Sequence, residues 1–150
     1  MIKFTAIAII AASALLTPSS PDQWSATLHS SNGSMVSGTA TVGGVGSADS
    51  TLVKISIRGA TPNATLPWHI HNGTCKVPGA VWSLESAYRK LQTSGMGSAD
   101  GSATLPIRPS KAKPYAIQVH HGTAAPGAKP GSDVIACGDL LPMLNKPPGI

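Results

Sequence analysis

The 150-residue chain is long enough for one domain with a substantial core and too short to argue for two. Its 16 glycines and 13 prolines, with 11% charged and 4% aromatic residues, suit short strands joined by turns and argue against a helical bundle. The formal net charge of +5 comes from basic residues spread along the chain without interleaved aromatics, so no nucleic-acid partner is expected.

Residues 1–20 have the build of a secretory signal. Lys3 supplies the positive start, residues 4–16 are apolar and small, and Thr17-Pro18-Ser19-Ser20 makes a small, helix-breaking exit. The apolar run is about thirteen residues where a bilayer span needs about twenty, so no membrane span is expected. The expected organisation is a signal over 1–20, a β domain over 21–140 and a frayed tail over 141–150, in a secreted or periplasmic protein. Oligomeric state is left open.

Residues 24–29 read as a first strand and 35–42 as a second, joined by the turn Ser31-Asn32-Gly33-Ser34. Gly43-Gly44-Val45-Gly46 is expected to break the ladder. Over 52–58, Val53, Ile55 and Ile57 share one parity and Lys54, Ser56 and Arg58 the other, the period of a half-buried strand. Residues 66–71 form the next strand, with Trp68 and Ile70 facing one way and His69 and His71 the other. Residues 72–101 are Gly- and Ser-rich and irregular, with a helical turn within 82–91, and a long segment of this kind in a compact domain is commonly functional. Strands over 102–107, 115–120 and 133–137 complete an all-β set that suits a sandwich or a partly closed Greek-key barrel.

In an exported chain Cys75 and Cys137 meet an oxidising compartment, and a disulfide between them is the default. The rival reading, two thiolate metal ligands, lacks a Cys-x-x-Cys partner. His69-Ile70-His71 offers two imidazoles on one strand face, close enough to share one ion. His120 ends a strand in which Ile117 and Val119 have core parity, which places it outward with Ala116 and Gln118, where it can complete a three-histidine site. His121 has the opposite, inward parity and reads first as a strand-end or hydrogen-bonded histidine, although beside His120 at a strand end it can swing inward as a substitute ligand. Neutral imidazoles suit copper, zinc, nickel and iron, so the residues alone do not name the metal.

The run Trp68-His69-Ile70-His71-Asn72-Gly73-Thr74-Cys75 is similar to the copper-binding strand of the copper/zinc superoxide dismutases, where His-Val-His precedes a disulfide cysteine. Ala116-Ile117-Gln118-Val119-His120 is similar to their strand ending Val-Val-His. Asp133-Val134-Ile135-Ala136-Cys137-Gly138-Asp139-Leu140 is similar to their last strand, which carries Leu-Ala-Cys-Gly. The resemblance implies an immunoglobulin-like Greek-key β-barrel of about seven to eight strands. It also implies copper ligands at His69, His71 and His120, and a Cys75–Cys137 disulfide fastening the active-site loop. The departures are specific. No histidine lies between His71 and His120, so the bridging and zinc histidines are absent and zinc is not expected. Val134 stands where the family has the arginine that attracts superoxide, and Arg108 or Lys129 are candidates to replace it.

The resemblance implies a copper enzyme dismutating superoxide with reduced efficiency. A non-catalytic copper-binding protein and a structural β module are the other readings. A carbonic-anhydrase-type zinc site would need a general base, and neither Asp133, Asp139 nor Glu85 can be placed by sequence. A cupin-like iron site would want a glutamate within 72–80, where there is none.

Overall fold

Alternation of branched apolar and polar residues lays down the strands. In β3 (Thr51–Arg58) Val53, Ile55 and Ile57 are buried while Lys54, Ser56 and Arg58 are exposed. The computed structural model describes residues 22–45, 49–122 and 133–143. The expected signal at 1–20, Lys129 and the tail past 143 lie outside the described residues. β1 (Gln23–Ser30), β2 (Ser37–Gly44) and β3 form an antiparallel meander. The β1–β2 turn places Asn32 and Gly33 at φ 51° and 76°, the left-handed region that these two residue types enter at least cost.

Seven shorter strands follow before the last: β4 (Thr65–Leu66), β5 (Trp68–Gly73), β6 (Pro78–Val81), β7 (Leu91–Gln92), β8 (Ala99–Leu105), β9 (Tyr115–His120) and β10 (Val134–Asp139). β11 (Leu141–Pro142) closes the series. The main sheet runs β6–β5–β9–β10–β1–β2–β3–β8, antiparallel throughout, and curls into a half-barrel. β10 returns beside β1 after the excursion through β4 to β9, a Greek-key connection. The all-β class expected from the sequence is the class observed. Trp24, Leu28, Val42, Val53, Trp68, Ile70, Ile117 and Val119 fill the concave side as one apolar cluster.

Several local expectations are corrected. Gly43 and Gly44 do not break the ladder but pair with Leu52 and Thr51, because a glycine backbone pairs normally when its partner strand continues. The strand expected over 66–71 is split at Pro67, which has no N–H to donate, and Leu66 pairs instead with Leu91 in the separate β4–β7 ribbon. The stretch expected to be irregular contains β6 and β7, while the helical turn expected within 82–91 is found as the 3₁₀ turn Glu85–Ala87. The tail begins ordered: Leu141 and Pro142 pair with Ser25 and Trp24 at a short edge, where proline is tolerated.

The convex side of β9, expected to face outward, is buried as well. All six β9 residues are buried. Ala116, Val134 and Cys137 form a second apolar cluster with Cys75 packed on it. Cys75 and Cys137 are disulfide-bonded across 62 residues, and the Cys75 N–H donates to Asp139 Oδ1 at 2.7 Å. The bond fits a non-reducing compartment. Among the described residues no helix is long and apolar enough to cross a membrane.

Closing a loop of 62 residues restricts the unfolded chain by about 4 kcal/mol on the chain-entropy model. The double variant Cys75→Ser, Cys137→Ser is expected to lose about that much unfolding free energy in a denaturant titration. A loss no larger than one ordinary hydrogen bond, about 1 kcal/mol, would show that packing and Asp139 hold the loop unaided.

Candidate metal centre

β5 and β9 pair antiparallel with Trp68 opposite Val119, His69 opposite Gln118 and Ile70 opposite Ile117. Trp68 and Ile70 are fully buried in the core, which turns His69 and His71 to the other face. His120 lies two residues beyond Gln118 and therefore on the same face, diagonal to His69. Its backbone N–H donates to the Pro67 carbonyl at 2.8 Å, extending the pairing by one step past the proline. The ring centroids stand 5.9 Å apart for His69–His71, 5.4 Å for His69–His120 and 5.8 Å for His71–His120. One ring nitrogen from each lies within 4.8 Å of the others, a set that can hold a metal ion.

The hydrogen bonds around the rings fix which nitrogen is available. Nδ1 of His71 is 2.9 Å from the Gly79 carbonyl in β6. A carbonyl only accepts, so Nδ1 carries the proton and Nε2 the lone pair. Nδ1 of His120 is 3.1 Å from Asp133 Oδ2, and the same reasoning leaves Nε2 as its lone pair. Nε2 of His71 and of His120 are the two buried side-chain nitrogens among the described residues without a hydrogen-bond partner. Buried polar atoms are nearly always satisfied, so two orphans in one cluster call for an explanation such as an ion. Outer hydrogen bonds of this kind, to a carbonyl or a carboxylate, are what orient metal-binding histidines. His69 Nε2 stands 3.5 Å from Glu85 Oε1, an ion-pair distance rather than a good hydrogen bond.

Burial, reinforced by the neighbouring His120, lowers the pKa of His69 against the opposing pull of Glu85. Burial likewise lowers that of His120, and Asp133 opposes it. Both rings are therefore neutral near pH 7, the state a metal ligand needs. Tyr88 packs edge-on to Trp68 at 5.2 Å and to His69 at 5.5 Å, and its hydroxyl donates to the Trp82 carbonyl at 2.6 Å. Burial pushes the Tyr88 phenol up, so it stays a donor. Trp68 Nε1 donates to the Arg89 carbonyl at 2.8 Å. The Trp68 bond pins the 82–91 segment beside His69, and the Tyr88 bond closes that segment on itself. A cleft of about 430 Å³, lined among others by Glu85, Tyr88, Lys90 and Asp133, opens onto His69 and His120.

Of the residues expected from the sequence, His69, His71 and His120 converge, and Cys75 and Cys137 bond. His121 does not face inward: it is exposed one residue past the end of β9, where strand parity no longer applies, and its N–H donates to the Asp133 carbonyl at 2.7 Å. It is not among the converging histidines. Arg108 lies against Gly44 on β2, which β1 and β10 separate from β9 in the sheet, and among the described residues the cation lining the cleft is Lys90. Glu85, Asp133 and the Gly79 carbonyl were not placed by the sequence. Asp133 carried a faint signal, as the residue heading the last strand. A β-bulge between Val134 and Ala136 sets its final position.

Because both histidine shifts are downward, the unfolded chain takes up protons at the ordinary value of 6.5 before the folded chain does. Stability of the metal-free protein should therefore be full above pH 6.5 and fall as the pH drops below it. Denaturant midpoints should agree at pH 8 and 7 and decline at pH 6 and 5, with a shallower decline in the His69→Gln, His120→Gln variant. Equal slopes in the two proteins would show that these rings titrate as in water. Compared with protein-family models and with curated proteins, the sequence gives no match.

Proposed function

We propose that this chain is an exported copper protein, similar to the copper/zinc superoxide dismutases, that dismutates superoxide slowly. The observation that carries this reading is the pair of buried, partnerless Nε2 atoms of His71 and His120 beside His69. A structural β module gives no reason to bury two lone pairs in one cluster. Three imidazoles suit copper, and the His69-Ile70-His71 strand with its late partner His120 is the part of the sequence that resembles the family's copper site. The Cys75–Cys137 disulfide supports export, as does the signal-like leader.

His69, His71 and His120 would hold the ion. Copper bound there supplies one-electron redox chemistry, the capacity needed to turn superoxide into dioxygen and peroxide. The chain's own residues prepare the site for it. The Gly79 carbonyl and Asp133 keep the protons of His71 and His120 on Nδ1, Tyr88 walls the cleft beside His69, and Lys90 offers an arriving anion a positive charge. Val134 is buried where the family has its arginine, so anion guidance is reduced and slow turnover is expected. A second reading, copper binding without catalysis, is favoured by Glu85 and Asp133, two carboxylates beside the rings that repel an anion and attract a cation.

Equilibrium dialysis should find one tightly held copper per chain. Alanine at His69, His71 or His120 should each weaken copper binding by more than the 10–100-fold usual for outer-sphere partners, roughly a hundredfold or beyond, and His121→Ala should leave it unchanged. Copper-loaded protein should dismutate superoxide above the rate of free copper and lose this with His69→Ala. Tight binding without that activity would favour the second reading, and no tight copper would overturn both.

A further inference from the structure

The β10 bulge that delivers Asp133 to His120 does not hold itself. Val134 pairs with His120 and Ala136 with Val119, so two β10 residues, Val134 and Ile135, span one step of β9. On the other side of β10 the ladder with β1 ends at Ser30 and Ala136. The carbonyls of Val134 and Ile135 therefore lie beyond the strand that would pair them, and the β1–β2 turn takes its place. The Ser31 N–H and the Ser34 hydroxyl donate to the Ile135 carbonyl, the former at 3.0 Å. Asn32 Nδ2 donates to the Val134 carbonyl at 2.8 Å. Val134 is buried, and its carbonyl is one residue from the carboxylate that bonds His120 Nδ1.

We infer that Asn32, an exposed turn residue, is a positioning residue for the metal centre: it anchors the β10 bulge and so aims Asp133 at His120. Asparagine suits both tasks. It enters the left-handed conformation seen at φ 51° and brings a side-chain N–H donor to a carbonyl that no strand reaches. With Asp133 aimed, the His120 proton stays on Nδ1 and the lone pair stays on Nε2. With the bulge released, Asp133 loses its register on the ring and the proton divides between the two nitrogens. The consequence for copper rests on the function proposed above, whereas the consequence for the ring does not.

Two variants isolate the side chain. Asn32→Gly keeps a residue that accepts the turn conformation and removes the donor, and Asn32→Asp keeps the shape and removes the N–H. The readout is long-range proton–nitrogen NMR of the His120 ring in the metal-free protein at pH 8, followed by copper competition titration of the same samples. In the wild type His120 should be the Nδ1–H tautomer. Both variants should show a mixture of tautomers and about tenfold weaker copper binding, the low end of the range for disturbed outer-sphere partners. Ile57→Val, a core change in β3 far along the sheet from β9, controls for general loosening and should leave the ring signals as in the wild type. Wild-type ring signals in both Asn32 variants would overturn the inference, and so would the same mixture in Ile57→Val. A wild-type protein that binds no copper would overturn the copper reading alone, because the tautomer comparison is made without metal.

Discussion

The antiparallel pairing of β5 with β9, Trp68 against Val119 and Ile70 against Ile117, is the contact on which the three-histidine cluster depends. Those four side chains are fully buried. Sliding one strand by a single residue would put imidazoles into the core and the indole into water, so the apolar face enforces the register. Once the register is set, His69 and His71 share the opposite face, and His120 falls diagonal to His69 within side-chain reach. The core thus fixes the ligand geometry from behind.

The face that carries the histidines would be open if the sheet were all there was. It is closed by chain that forms little regular structure. The Cys75–Cys137 disulfide and the Asp139 carboxylate tie down the segment after β5, and β6 then presents the Gly79 carbonyl to His71. Farther on, the Trp68 indole binds the Arg89 carbonyl and the Tyr88 hydroxyl closes the 82–91 segment on its own Trp82 carbonyl, with Glu85 against His69. Each imidazole thus has a polar neighbour from outside the β5–β9 pair: Gly79 for His71, Asp133 for His120 and Glu85 for His69. Burial without such neighbours would leave the rings' orientation unspecified.

The balance of charge around the cleft bears on what the site does. Glu85 and Asp133 sit closest to the rings, and Lys90 lines the same cleft. A cation is drawn to such a mouth more readily than an anion. Among the described residues, the cleft therefore sets one lysine against two carboxylates.

The sequence by itself determined the all-β class, the β3 alternation, the face shared by His69 and His71, and the pairing of Cys75 with Cys137. Each of these follows from local periodicity or from having only two cysteines, and so is written in the order of residues. It also set His120 on the right face, because Ile117 and Val119 fix parity within one strand. It misjudged His121, because parity carries no information past a strand's last residue. Only the tertiary structure decided which groups meet the rings. Gly79 reaches His71 through the β5–β6 pairing, Glu85 reaches His69 from a 3₁₀ turn, and Asp133 reaches His120 through a bulge held by a turn 102 residues away from Val134 in sequence. These meetings depend on chain reversals and on one extra residue in a ladder, features set by the closing of the sheet and not by the period of any one strand.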